Sequence, residues 1–269
     1  MADTLKLLAI FPHPDDETLG LGSTLARYSA EGIETYLVCA TRGERGWFDA
    51  EGPNPGLEAV GRIREAELRC AAEALGLHEV SLLDYLDGEV DQAKPEEMIG
   101  KIVCHIRRIK PQVVVTFGPD GAYGHPDHIA LSQFTNGALV CAADRNFVDS
   151  EAQPPHRVLK FYYMVDSQEI VDAANEAFGG IRMEIDGVTR HHVAWPDWQI
   201  TTWLDNSNNL ERVQKAIRCH QSQLPGYHPI DQWSVAELAR TFGTGHFYRA
   251  FSLVNGERNR ETDLFEGLR

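Results

Sequence analysis

The chain has 269 residues, with 25 Lys and Arg against 40 Asp and Glu and a formal net charge of −15. That balance repels phosphate backbones and anionic headgroups, which weighs against nucleic acid and anionic membranes as general partners. A hydrophobic content of 43% is ordinary for a globular protein. With no apolar run long enough for a signal peptide or a membrane span, a cytoplasmic protein without stable membrane insertion is expected.

Leu5 to Phe11 is an apolar run of strand length. The spacing then predicts a helix over Thr18 to Glu31, stopped by Gly32, and a buried strand over Glu34 to Thr41. A polar loop rich in Gly and Pro runs from Arg42 to Gly56. Leu57 to Leu75 reads as a helix ended by Gly76, Val80 to Leu83 as a short strand, and Pro95 to Ile109 as a helix with Met98, Ile99, Ile102, Val103 and Ile106 as its apolar set. Gln112 to Phe117 is a further buried strand, His128 to Ala142 a helix, and Leu159 to Val165 a strand. Asp144 to Pro155 is the most linker-like stretch. Past Asp166 the pattern is mixed, with helices expected near Leu204 to Gln221 and Ser234 to Thr241 and a last strand near Phe247 to Val254.

Strict alternation up to about Val165, with nearly all-apolar strands, implies burial on both faces of a sheet. The expected fold is a doubly wound, Rossmann-like α/β fold, a mostly parallel sheet with helices on both faces. One domain is expected over residues 1–269, its core at about 1–165 and a small C-terminal α+β appendage at about 166–269. Cys39, Cys70, Cys104, Cys141 and Cys219 form no C-x-x-C pair and are odd in number, which predicts reduced, mostly packed thiols.

Two related motifs follow apolar runs: His13-Pro14-Asp15-Asp16 and His125-Pro126-Asp127-His128. In a parallel α/β sheet, ligands bind beyond the carboxyl ends of strands where strand order reverses, and the first and fourth strands commonly flank that point. Proline and aspartate also suit a helix start, so each aspartate alone could be a simple N-terminal charge. Capping requires neither the histidines nor the repetition. Two imidazoles and one carboxylate make an open zinc site with water in the fourth position. A spare carboxylate could take that water's proton, and a spare histidine could stabilise an oxyanion. Spacing alone does not divide ligands from catalysts.

Phe11-Pro-His-Pro-Asp-Asp-Glu-Thr-Leu-Gly20 resembles the A-H-P-D-D-E signature of the PIG-L/LmbE-like zinc N-deacetylases, with Pro12 where alanine is usual. Thr41-Arg-Gly-Glu44 is similar to that family's T-x-G-E loop, Arg64-Glu-Ala-Glu-Leu68 to its R-x-x-E-L helix, and Tyr123-Gly-His-Pro-Asp-His128 to its second histidine motif. His220-Gln-Ser-Gln223 resembles its H-x-S-Q element, and Glu261 to Leu268 its acidic-aromatic tail. The resemblance implies metal ligation by His13, Asp16 and His128, with zinc or ferrous iron as the ion. It implies Asp15 as general base, His125 as an imidazolium facing the oxyanion, and Asp127 as the partner that orients His125. It implies hydrolysis of an N-acetyl group on a glucosamine-like sugar or glycoconjugate by attack of a metal-bound water.

Arg42, Arg64 and Asp87 are candidates for substrate binding, set against bland readings as surface ion pairs and an Asp-Gly turn. Tyr123 could reach the substrate carbonyl. Trp195, Trp198 and Trp203 could form a sugar-stacking wall or pack in a core. His191, His192 and His246 read as surface or structural, and His220 as a packing or hydrogen-bonding residue. Two rival functions share the ligand set: a non-haem iron oxygenase and a non-catalytic metal-containing carbohydrate-binding protein. The spare Asp15 and His125 favour hydrolysis over both. The expected partner is a small N-acetylated sugar or glycoconjugate, and a homo-oligomer is compatible with the sequence.

Overall fold

The computed structural model describes residues 4–48, 52–227, 229–256 and 259–269, so part of the polar loop expected over residues 42–56 lies outside the described residues. The chain opens with β1 (Lys6–Phe11), α1 (Asp16–Leu19), α2 (Gly22–Ala30) and β2 (Glu34–Thr41). It continues through α3 (Leu57–Leu75), β3 (Glu79–Tyr85), α4 (Pro95–Ile109), β4 (Val113–Phe117), α5 (Gly121–Gly124), α6 (Pro126–Ala143) and β5 (Lys160–Met164). The helix expected over Thr18 to Glu31 is two helices, interrupted at Gly20. Glycine weakens a helix, and Gly20 lies so close to β5 that a Cβ there would come within 2.4 Å of Met164 Cε.

The rest of the chain forms β6 (Asp166–Ser167), α7 (Gln168–Phe178), β7 (Arg182–Ile185), β8 (Val188–His191), β9 (Ala194–Trp195), β10 (Thr202–Asp205), α8 (Leu210–Cys219), α9 (Leu224–Tyr227), α10 (Val235–Phe242) and β11 (Thr244–Ser252). The helix expected from Leu204 starts only at Leu210, because Thr202–Asp205 pairs with β11 and sheet pairing overrides the local spacing. α10 has a capping box, Ser234 and Glu237 each binding the other's backbone N–H.

Seven strands form one sheet in the order β10-β11-β5-β4-β1-β2-β3. The five from β5 to β3 are parallel, and β11 is antiparallel to both β5 and β10. The fold is therefore the expected mostly parallel α/β sheet wrapped by helices. Two strands from beyond residue 165 are built into it. Alternation along β1 serves both faces: Leu7, Ala9 and Phe11 join the core under α2, α3 and α8, while Leu8 and Ile10 join the core under α4 and α6. Each fully buried apolar side chain of this kind contributes about 1.5–3 kcal/mol. Strand order reverses between β1 and β4, which opens a crevice at their carboxyl ends.

Two features tie distant segments together. Glu261, only 1% exposed, accepts from Lys160 Nζ (2.7 Å), Tyr162 OH (2.8 Å), Thr202 Oγ1 (2.9 Å), Arg249 Nη1 (2.8 Å) and Asn255 Nδ2 (2.6 Å). Removing one partner of such a buried charge is costly because the other is left uncompensated. The second feature corrects an expectation. Cys70 of α3 and Cys219 of α8 form a disulfide with Cα atoms 5.7 Å apart, within the normal range, whereas all thiols were expected to be reduced. A pair separated by 149 residues leaves no spacing signal. Cys39, Cys104 and Cys141 are free. No helix among the described residues is long and apolar enough to cross a membrane.

Thiol titration of the denatured, unreduced protein should therefore find the three free cysteines. Reduction should expose the other two and lower stability to chemical denaturation by roughly 2–4 kcal/mol. Full thiol reactivity before reductant is added would show that the pair is open.

Candidate active site

β1 ends just short of the first His-Pro-Asp motif, and the chain leaving β4 passes through α5 to the second, so the crevice between the two strands gathers both. His13 Nδ1 lies 3.3 Å from His128 Nε2 and 3.5 Å from Asp16 Oδ2, and His128 Nε2 lies 3.6 Å from Asp16 Oδ1. The two Asp16 distances run to different oxygens; one donor atom from each residue makes a triangle with sides within 4.8 Å, and two imidazoles with one carboxylate are a donor set that suits zinc. His13, Asp15 and His128 are all less than a tenth exposed. A second grouping of His13, His125 and Asp127 also lies close. There the Asp127 oxygens are engaged, accepting from Gly88 N–H (2.7 Å) and Val90 N–H (3.1 Å).

The electrostatics also call for a cation. Burial raises the carboxyl pKa of Asp16, against the pull of His13. Burial alone would lower the pKa of His13, yet Asp127, Asp16 and Asp87 together hold it well above the ordinary value. Three carboxylates gathered around the His13 ring make the site negative, which a bound divalent ion would relieve.

Asp127 Oδ2 lies 3.1 Å from His13 Nε2, so the carboxylate orients His13, a residue of the triangle, and not His125 as expected. The effect is that of a carboxylate–histidine pair beside a metal: it fixes the ring and its tautomer. His125 is the N-cap of α6, its Nδ1 accepting from the Asp127 N–H (3.1 Å). A neutral ring so bonded carries its proton on Nε2. Burial, then the nearby His13 charge, pull its pKa down to about 4. In the metal-free protein these two causes disfavour the imidazolium expected at His125. Its ring stacks on His128 with centroids 4.8 Å apart, and Tyr123 meets His125 and His128 edge-on at 5.8 and 5.2 Å.

Asp15 stands in a left-handed backbone conformation with φ 107° and ψ −28°. Its N–H donates to Glu17 Oε2 (2.9 Å), and Glu17 is held in turn by Thr18 Oγ1 (2.5 Å) and His220 Nε2 (2.9 Å). Its Oδ2 accepts from Tyr227 OH (2.6 Å) and Arg64 Nη2 (3.1 Å). Burial raises its pKa, while Arg64 pulls the other way.

Of the three expected substrate contacts, Arg64 and Asp87 are buried and Arg42 is partly exposed. Arg64 is 3% exposed and donates to Gly43 O (2.9 Å), Pro14 O (2.5 Å) and Asp15, because the guanidinium lies beneath the loops and not in the crevice. A Cβ at Gly46 would come within 2.0 Å of Arg64 Nη1, which explains the glycines after Thr41. Arg42 pairs with Glu65 and Asp84, each at 2.6 Å. Asp87 sets Oδ1 3.1 Å from His13 Nε2, while Oδ2 accepts from the Arg45 N–H.

The late H-x-S-Q element supports this arrangement. His220 binds Glu17, as its hydrogen-bonding reading implies; Ser222 N and Oγ both donate to Glu67, each at 2.7 Å, and Gln223 Nε2 donates to Gly46 O (2.9 Å). The tryptophans do not form one wall: Trp195 packs on Tyr248, Trp203 on His246, and Trp198 is 80% exposed. Glu17 and Tyr227 were missed as site residues. Glu17 sits inside the first motif, but nothing local marks Tyr227.

Comparison with known proteins gives a consistent set of relatives. The family model described as PIG-L, GlcNAc-PI de-N-acetylase, matches residues 8–139. A 1D-myo-inositol 2-acetamido-2-deoxy-alpha-D-glucopyranoside deacetylase of Streptomyces avermitilis is 34% identical, over 98% of this chain and 97% of its own. The protein of the same name from Kineococcus radiotolerans is 31% identical, over 98% of this chain and 83% of its own. Among solved structures, the N,N'-diacetylchitobiose deacetylase of Pyrococcus horikoshii has the same fold, with a TM-score of 0.69 and 22% identity over 92% of this chain and 84% of its own.

The depressed pKa of His125 makes a prediction for the metal-free protein. Between its ordinary value of 6.5 and about 4, the unfolded chain binds the proton and the folded chain does not. This residue's contribution therefore lowers folding stability as pH falls through that window. Urea unfolding at several pH values should show a smaller acid loss in His125→Gln than in the parent. Equal losses in both would discard the assignment.

Proposed function

The chain belongs to the PIG-L family of de-N-acetylases, and on that footing we propose that it hydrolyses the N-acetyl group of a glucosamine-like sugar or glycoconjugate to acetate and a free amine. His13, Asp16 and His128 would hold a divalent metal, zinc in the first place and ferrous iron in the second. The observation that carries this reading is the gathering of His13, Asp16 and His128, one donor atom of each within 4.8 Å of the others, with a buried carboxylate, Asp15, on the adjoining residue.

A divalent ion in that triangle supplies Lewis acidity toward the amide carbonyl and lowers the pKa of water towards about 7. Asp15 takes the proton of the attacking water. Tyr227 and Arg64 hold its Oδ2, which leaves Oδ1 as the accepting oxygen. A carboxylate whose pKa burial has raised is a stronger base than one in water and sits nearer the working pH. The Nε2–H of His125 donates to the oxygen on which charge develops, and the Tyr123 hydroxyl approaches the same carbonyl. As the C–N bond breaks, Asp15 returns its proton to the amine nitrogen. Arg64 serves the reaction through Asp15, not by touching the sugar. The inositol-linked 2-acetamido sugar in the names of the relatives is the first substrate to try.

Incubation with a panel of N-acetylated sugars should release free amine. Chelation should abolish the release, zinc should restore it, and removing oxygen should leave it unchanged, unlike an oxygenase. Silence across the whole panel would count against deacetylation. Asp15→Asn should keep its metal yet lose roughly 10²–10⁴-fold in kcat, whereas parent-like turnover would remove Asp15 from the role of base.

A further inference from the structure

Between β4 and α6 the chain passes through a strained loop that carries Tyr123 and ends at His125. Ala122 stands at φ 63°, ψ −62°, and Gly121 and Gly124 beside it have φ 66° and 76°. A residue with a Cβ keeps such a conformation only where its surroundings impose it. Here one short segment of the chain supplies three donors. Trp195 Nε1 donates to Asp120 Oδ1 (3.3 Å), the Val193 N–H to Ala122 O (2.8 Å), and Arg190 Nη1 to Gly124 O (2.5 Å). Residues 195, 193 and 190 thus meet residues 120, 122 and 124, running in opposite directions. Arg190 also covers Gly124 closely: a Cβ on that glycine would lie 2.6 Å from Arg190 Cδ.

Arg190 belongs to the β7–β8 hairpin, which has little core of its own. Val188 is 60% exposed and Ile181, just before the hairpin, 38% exposed. The hairpin is moored at its base, where His192 Nε2 meets Asp166 Oδ2 at 2.7 Å and the His192 N–H donates to Ile181 O. An element that buries so little apolar surface and directs an arginine at one catalytic-loop carbonyl is better explained by that contact than by packing.

We propose that Arg190 is a positioning residue of the deacetylation site. Together with Val193 and Trp195 it holds the 120–124 loop in its strained form, and so sets where Tyr123 and His125 stand relative to the substrate carbonyl. This rests on the roles given above to those two residues. The guanidinium touches no reacting atom. It acts through the Gly124 carbonyl, one residue before the His125 N-cap.

The test compares metal-loaded parent, Arg190→Ala and Arg190→Lys. It measures kcat and KM on the best substrate of the panel, metal content, melting temperature, and amide hydrogen exchange over residues 118–126, which needs no turnover. Arg190→Ala should lower kcat about 10- to 100-fold, the scale on which small misplacement acts. KM should change far less, metal and melting temperature should stay at parent values, and exchange of the loop should quicken. Arg190→Lys, with one donor able to reach the carbonyl, should recover part of kcat. An unchanged kcat in Arg190→Ala, or a fall that follows lost metal or lost folding, overturns the proposal. If the parent itself released no amine, the deacetylase reading would fail, and loop exchange would then decide the clamp separately: parent-like exchange in Arg190→Ala would overturn it.

Discussion

One backbone conformation organises the site. Asp15 has φ 107°, a region that costs an L-residue of order 1–3 kcal/mol. The turn it makes sets Asp15 beside Asp16 and brings Asp16 against both ring nitrogens of the triangle. Much of the buried polar chemistry nearby holds that turn. Glu17 takes the Asp15 N–H, His220 and Thr18 hold Glu17, Arg64 takes the Pro14 carbonyl, and Tyr227 takes the side chain. Each contact is modest alone, since a net hydrogen bond is worth about 0.5–1.5 kcal/mol. Together they hold the turn in place. The helix carrying Arg64, the late segment carrying His220 and Tyr227, and the loop at Gly43 are thereby drawn into one arrangement around two residues.

Much of this was legible in the sequence where chemistry and local order coincide. The apolar runs of β1, β2 and β4 and the periodic α3 and α4 are written in consecutive residues, so their bounds were read almost to the residue. Histidines that no helix start needs mark both motifs, and the family resemblance singles out His13, Asp16 and His128, which the fold brings within 4.8 Å of one another. What local order does not carry was missed. Arg64 looks like a surface arginine on a helix until the fold lays it beneath Pro14 and Asp15. Asp127 adjoins His125 in the chain, yet its carboxylate reaches His13 at a separation of 114 residues. The helix expected near Leu204 to Gln221 takes in the end of β10. Only pairing with β11 makes that end a strand. Cys70 and Cys219 fail for the same reason.

The two histidine motifs share a sequence theme but differ in what the fold asks of them. In the first, the aspartate before the helix bends the backbone and turns its side chain to Arg64 and Tyr227. In the second, the corresponding aspartate is fully buried, binds the backbone of Gly88 and Val90, and fixes the ring of His13. The second motif is therefore support for the first as well as a source of groups. The lowered pKa of His125 follows from the same crowding: burial first, then the charge of His13, disfavour a second positive charge in the crevice.

The Glu261 cluster bears on the order in which the protein can be completed. Lys160 lies in a strand near the middle of the sheet and is fully buried, but its carboxylate partner comes 101 residues later. During synthesis, β5 leaves the ribosome long before Glu261 exists. Docking it in the native position would bury an ammonium group with no counter-charge. β11, which pairs with β5, and β10 beyond it are also still to come. The nascent chain can thus assemble β1 to β4 early, while β5 gains its full stability only after the last segment is made. Fidelity at that seam depends on keeping the half-finished sheet edge from pairing with another chain in the interval.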